Sequence, residues 1–187
     1  MSNDWVRRCR RTAVNILLLG PLLAGAPYSR AGAWDVTDTG QPYTDTEFTL
    51  TEGTWMSLDV SPDGKTIVFD LLGDIYRLPA EGGDAQLIFG GPAMQRSPEF
   101  SRDGTKLLYL SDASGNDNIW TANADGSGAR QLTHEIVDLL MGPTWAPDGA
   151  SIAASKIYST FPRMHAAEIR WFDLGGGGGR VLVDPPK

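Results

Sequence analysis

The chain has 187 residues and a formal net charge of −7, from 23 acidic and 16 basic side chains. The acidic residues are spread without a block, as on a solvated surface, and the balance argues against nucleic acid or an anionic membrane as a partner. The one cysteine, Cys9, excludes an intrachain disulfide and a multi-cysteine metal site.

The first 33 residues have the layout of a secretory signal peptide. Arg7, Arg8, Arg10 and Arg11 form a basic start, Ala13 to Ala26 an apolar stretch, and Ala31-Gly32-Ala33 a small-residue cleavage signal, with Ala24-Gly25-Ala26 as a second candidate. A stretch of about 14 residues falls short of the ~20 that a spanning helix needs, so a membrane anchor is the weaker reading. Cleavage after Ala33 removes five arginines, one aspartate and Cys9, taking the net charge from −7 to −11. Export to the periplasm or the extracellular space is therefore expected. Residues 34–54 form an N-terminal segment in which Phe48-Thr49-Leu50-Thr51 reads as a strand.

From residue 55 onward one phrase recurs. Ser61-Pro62-Asp63-Gly64, Ser101-Arg102-Asp103-Gly104 and Ala146-Pro147-Asp148-Gly149 place their Asp-Gly pairs 40 and 45 residues apart, and Val60, Phe100 and Trp145 precede them. A period of this size marks a repeat architecture. Each phrase is a turn signal followed by a strand rich in β-branched or apolar residues, a break, a second strand, a glycine turn and a third strand. In the first copy these strands are Thr66 to Leu72, Asp74 to Leu78 and Ala85 to Phe89, with Trp55 to Val60 before the turn. In the second they are Lys106 to Leu110, Asn118 to Ala122 and Ala129 to Thr133. In the third they are Ser151 to Ser155, Glu168 to Phe172 and Arg180 to Val183, with Gly175 to Gly179 as the hairpin turn. Ile67-Val68-Phe69 and Leu107-Leu108-Tyr109-Leu110 are apolar on both faces, unlike a one-sided sheet. Four-stranded sheets stacked around an axis account for this. The expected fold is all-β, a partial β-propeller of about three four-stranded antiparallel blades near residues 55–91, 97–138 and 143–184, an incomplete ring.

The [Ser/Ala]-x-Asp-Gly turns, the Asp74-Ile75-Tyr76 and Asn118-Ile119-Trp120 strands, and the ending Asp125-Gly126-Ser127-Gly128 through Leu132-Thr133 resemble the TolB-like propeller repeat, a relative of the WD-type repeat. Glu52 to Val60, running on through Asp70 to Tyr76, is further similar to the opening of large secreted bacterial proteins in which such a propeller precedes a metal-dependent amidohydrolase domain. The resemblance implies a ring of six or seven blades, so three blades imply a truncated front portion of a larger protein or a chain that self-associates. It also implies that Phe48 to Thr51 is a candidate ring-closing strand. The third unit departs from the pattern: Arg170 follows Ile169 where an aromatic is expected, and Trp171 comes one place late, a slip that would reverse its face. TolB itself fits less well, because only about 21 residues, Trp34 to Thr54, precede the first repeat.

No catalytic constellation is legible. His134 and His165 form no His-x-His pair, no Gly-x-Ser-x-Gly elbow supports a prolyl-oligopeptidase-type site, and the glycine run lacks the Lys-[Ser/Thr] ending of a phosphate loop. Asp63, Asp103 and Asp148 are separated by a blade each and are expected to bond their own turns rather than share a calcium ion. No catalytic, cofactor-binding or metal residue is assigned. The distance from turn Asp to third strand grows from 11 to 15 to 20 residues, and the added segment, Tyr158 to Ala167, is the one irregular loop that could carry binding. The expected function is an exported, non-catalytic scaffold or protein-interaction module. The alternative is the N-terminal part of a secreted amidohydrolase whose catalytic domain lies beyond this chain.

Overall fold

The computed structural model describes residues 5–12, 36, 40, 42–159 and 166–184. The apolar stretch from Ala13 to Ala26, both candidate cleavage motifs, and Phe161, Arg163 and His165 of the irregular loop lie outside the described residues. Among the described residues no helix is long and apolar enough to cross a membrane.

Strands β1 (Trp5–Thr12) and β2 (Tyr43–Leu50) pair antiparallel, from Trp5↔Leu50 to Thr12↔Tyr43. The candidate closing strand pairs here with β1, which lies within the expected leader of residues 1–33. Three four-stranded antiparallel sheets follow. Blade one is β3 (Leu58–Val60), β4 (Thr66–Leu71), β5 (Asp74–Pro79) and β6 (Gln86–Phe89). Blade two is β7 (Gln95–Phe100), β8 (Lys106–Ser111), β9 (Asn118–Asn123) and β10 (Arg130–Gln131). Blade three is β11 (Leu139–Trp145), β12 (Ser151–Ile157), β13 (Ala167–Asp173) and β14 (Arg180–Val183). Within each sheet the strands lie in chain order. The described chain is an all-β arc of three blades, a partial propeller. The first strand is shorter than the sequence suggests, because Trp55 has φ 58° and lies in solvent while Met56 turns in to pack on the Phe69 cluster.

The recurring phrase forms the same turn three times. Gly64, Gly104 and Gly149 have φ of 70°, 69° and 67°, and their N–H groups donate to the carbonyls of Ser61, Ser101 and Ala146. A side chain would be strained there, which is why the Asp is followed by Gly each time. The residues Ser97-Pro98 and Gly142-Pro143 sit at register shifts in β7 and β11, where a bulge tolerates a proline without an N–H.

The apolar runs are buried between blades. Val68 and Ile75 of blade one pack with Phe100, Leu107, Tyr109 and Ala122 of blade two. Leu108, Leu110, Ile119 and Leu132 of blade two pack with Leu140, Ile152, Ala154 and Phe172 of blade three. The glycine-rich hairpins fit the same contacts. A Cβ on Gly126 would lie 2.6 Å from Ile88 of blade one, and one on Gly176 would lie 2.8 Å from the Leu132 carbonyl of blade two. Within the five-glycine run, Gly176 is therefore fitted to the neighbouring blade.

The third unit is in register. Ser151↔Asp173 through Ile157↔Ala167 set Glu168-Ile169-Arg170 at the positions that Asp74-Ile75-Tyr76 occupy in blade one. The expected one-residue slip is instead a substitution of Arg170 for the aromatic. The bulge lies one strand later, at Leu182 in β14, and matches one at Ile88 in β6.

Ile119 is fully buried in the contact between blades two and three. Ile119→Ala is expected to cost about 2–5 kcal/mol through lost burial and the cavity left behind. Urea denaturation checks this, and a change below about 1 kcal/mol would contradict the packing described.

Candidate functional site

Two places on the arc gather polar chemistry. The first is a groove of about 760 Å³ between the turns of blades one and two, lined among others by Pro62, Asp63, Arg77, Phe100, Asp103 and Asp125. The sequence spacing of Asp63 and Asp103 suggested separate locations. The structure brings both to one groove, because neighbouring blades set equivalent turns side by side, and the blade-two hairpin adds Asp125. Asp148 is not among the lining residues.

These carboxylates are committed locally. The Ser61 and Ser101 hydroxyls each donate to the Oδ1 of Asp63 and Asp103 at 2.6 Å, while accepting the N–H of Thr66 and Lys106 at 2.9 Å. Lys65 N–H donates to Asp63, and Thr105 donates to Asp103 through N–H and hydroxyl. Ser127 serves Asp125 in the same way. The serine hydroxyl holds Asp103 at about 2, with the Thr105 groups adding to it, and the same kinds of bonds lower Asp63 and Asp125. Permanently ionised carboxylates cannot act as general acids at neutral pH, and no histidine lines the groove to activate either serine. Arg77 donates to Gln86 at 3.0 Å on the same wall. The groove can bind; it has no nucleophile–base pair.

The second place is at the opposite ends of the strands. Lys156 Nζ lies 2.8 Å from both Glu135 carboxylate oxygens and 3.2 Å from Asp138 Oδ2. Burial pushes the Lys156 ammonium down, but its bonds to Glu135 and Asp138 outweigh that and raise it. Glu168, almost fully buried, accepts the Tyr158 hydroxyl at 2.8 Å and the Arg170 guanidinium. Glu168 stands at the strand position of Asp74 and Asn118. Asn118 there is fully bonded, donating to Ser114, Asn116 and Glu135 and accepting from Thr133 and Glu135. At Asn118 and Glu168 this position ties loops to blades, and Arg170 matches the charge of Glu168. His134 is exposed. Among the described residues no group of three or more His, Cys, Asp or Glu side chains is arranged to hold a metal ion.

Sequence reasoning missed a second repeat of carboxylates. Asp59 and Glu99 occupy one position, two residues before each turn serine. Asp59 Oδ2 accepts Phe100 N–H at 2.8 Å, and Glu99 Oε1 accepts Trp145 N–H at 3.1 Å and the Thr144 hydroxyl at 3.0 Å. Asp70 adds a bridge, accepting Ser57 N–H from its own blade and Ser97 N–H from the next. These acceptors staple each blade to its successor. Burial pushes the Glu99 carboxyl up, partly offset by the bonds from Trp145 and Thr144.

No protein-family model matches the chain. An uncharacterized protein of Agrobacterium fabrum is 25% identical over 135 residues, covering 66% of this chain and 44% of that protein. A tricorn protease homolog of Streptomyces coelicolor is 30% identical over 127 residues, covering 67% of this chain and 12% of that protein. The chain thus spans less than half the length of either curated relative. The solved structure of a TolB-type protein of Agrobacterium tumefaciens superposes with a TM-score of 0.62 at 21% identity, over 80% of this chain and 59% of that one. The fold is that of a TolB-like β-propeller. The same arc also superposes on a chain of a nidogen/laminin complex, with a TM-score of 0.54 at 17% identity, over 78% and 59% of the two chains. Both likenesses show the propeller fold of this arc and no activity.

Two outcomes test the electrostatics of the TolB-like arc. NMR titration of Asp103 is expected to give a midpoint of about 2, rising toward the ordinary carboxylate value in Ser101→Ala. Because the folded value is depressed, the contribution of Asp103 is present above its unfolded value and fades as pH falls toward 2. A wild-type midpoint near 4 would contradict the turn geometry. For Glu99 the sign is opposite: its raised value removes stability as pH rises through it. Glu99→Gln, which keeps an acceptor, is expected to change stability at pH 7 by less than about 0.5 kcal/mol. Glu99→Leu strands the Trp145 N–H and costs about 1–3 kcal/mol. Equal effects of the two variants in urea melts would show that the staple carries nothing.

Proposed function

We propose that the chain is a non-catalytic β-propeller module of a larger protein, exported through the leader of residues 1–33 and acting as an interaction scaffold. The observation that carries this reading is the groove between blades one and two. It is large enough to hold a ligand or a peptide segment, while its serines and aspartates are engaged with one another and with backbone N–H groups. The likeness to a structure of a nidogen/laminin complex is consistent with a protein partner. The short matches within longer relatives fit a module.

The second reading makes the chain the front part of a secreted metal-dependent amidohydrolase, with the chemistry beyond residue 187. It rests on the resemblance of Glu52 to Val60 and Asp70 to Tyr76 to such proteins. Coding DNA that continues past Lys187 into further repeats and a His-x-His strand favours it; an unrelated neighbouring gene favours a scaffold.

Both readings leave the 187-residue chain without turnover. Assays of amide and peptide hydrolysis with and without zinc are expected to show no activity above buffer. Metal-dependent hydrolysis by the purified chain, lost on chelation, would overturn them.

A further inference from the structure

An aspartate followed by glycine is the pair most open to a spontaneous rearrangement of the backbone, because glycine has no side chain to shield its nitrogen. The chain has four such pairs: Asp63-Gly64, Asp103-Gly104, Asp125-Gly126 and Asp148-Gly149. All four aspartates are exposed. Each of the four glycines has a positive φ, and its N–H donates to the carbonyl three residues back at 2.8 or 2.9 Å. The four nitrogens are therefore held alike, and what differs between the pairs is how each carboxylate is held.

Three of the carboxylates accept a short bond from a serine hydroxyl. Ser61 donates to Asp63 and Ser101 to Asp103 at 2.6 Å, and Ser127 donates to Asp125 at 2.7 Å. In the first two turns the same hydroxyl accepts the N–H of Thr66 or Lys106 at 2.9 Å, which braces the turn across its mouth. The third turn has Ala146 where the other two have serine, and so lacks the group that makes both bonds. Asp148 Oδ1 keeps the Ala150 N–H at 2.9 Å, but its hydroxyl donor is Ser151, from the far side of the turn at 3.2 Å. Hydroxyl donors to oxygen usually sit at about 2.5–3.0 Å, so this bond is a weak substitute.

We propose that Asp148-Gly149 is a self-modification site, where aspartate converts to isoaspartate while the serine-held aspartates of the other three pairs are protected. The Gly149 nitrogen attacks the protonated Asp148 carboxyl at Cγ. A C–N bond forms, a C–O bond breaks, and the oxygen leaves as water with its own proton and the one from the Gly149 nitrogen. A water molecule then adds to the backbone carbonyl of the cyclic imide and breaks that carbon's bond to the Gly149 nitrogen, so the chain now runs through the side-chain carbonyl. A serine bond opposes the first step twice. It fixes the rotation of the carboxylate, and it favours the ionised form, which has no leaving group. The depressed Asp103 carboxyl, at about 2, shows that second effect. The product carries an extra backbone methylene in the turn between β11 and β12. That turn is closed by Gly149 N–H to Ala146 O at 2.9 Å and Ala146 N–H to Ser151 O at 2.8 Å. The next residue, Ile152, is fully buried against blade two. Isomerisation at Asp148 therefore loosens the hold of blade three on its neighbour.

Ageing the full chain in warm neutral buffer, with a parallel sample unfolded in urea, tests this. Electron-transfer mass spectrometry of its peptides tells isoaspartate from aspartate at each site, and circular dichroism checks that each variant is folded. In the folded chain isoaspartate is expected to build up at Asp148 several-fold faster than at Asp63, Asp103 or Asp125, and in urea the four rates are expected to converge. Ala146→Ser supplies the missing hydroxyl and is expected to slow Asp148 to the rate of Asp63. Ser61→Ala removes one and is expected to bring Asp63 up to the rate of Asp148. Equal rates at the four sites of the folded chain, a faster site elsewhere, or no isoaspartate at any of them would overturn the proposal. So would a lead for Asp148 that persists in urea, which would trace to local sequence, or an Ala146→Ser variant that folds and ages at the original rate.

Discussion

Each of the three blades carries large apolar side chains on both of its faces, and a sheet of that kind is most stable between two neighbours. Ile75 and Val68 cannot leave water without Phe100, Leu107 and Tyr109, and Ile119 and Leu108 cannot without Ile152, Ala154 and Phe172. The rest of the structure follows from that requirement. Strand lengths are short because each blade is a slice. The Asp-Gly turns recur because each slice reverses at the same height. The hairpin glycines at 126 and 176 are needed because each hairpin touches the blade before it, where a side chain would collide.

Polar groups then fix the angle that apolar burial leaves loose. Hydrophobic contact is non-directional, whereas Asp59, Asp70 and Glu99 each accept a particular N–H from the following blade. Only neighbouring slices set at one spacing satisfy those bonds. The same logic explains why the groove aspartates are poor candidates for chemistry. Their oxygens shape turns, and a carboxylate consumed by its own loop has little left for a substrate.

Much of this architecture is legible in the sequence because turn chemistry is local. Ser61 to Gly64 and its two copies announce their turns within four consecutive residues, and the strands between them are rich in β-branched or apolar side chains. What the sequence hides depends on register and on neighbours. The Asp59 and Glu99 staples join residues 41 and 46 positions apart, and nothing near either residue signals its partner. Arg170 suggests a slipped strand when read beside Trp171, yet the ladder to β12 runs unbroken and sets Glu168 at the place of Asp74 and Asn118. Asp63 and Asp103 look remote at a spacing of 40 residues, and stacking makes them neighbours on one groove. Each of these is a relation between blades, and a linear pattern gives the contents of a blade more readily than its contacts.

If contact on both faces is what stabilises a blade, the middle blade is the most stable part of the arc. Native-state hydrogen exchange of the chain measures this directly. The slowest amides are expected in β8 and β9, around Leu107 to Leu110 and Ile119, exchanging only through global unfolding. Those of β12 and β13, on the blade with one covered face, are expected to exchange earlier through a local opening. Equal protection in all three blades, or greatest protection in blade three, would contradict the account.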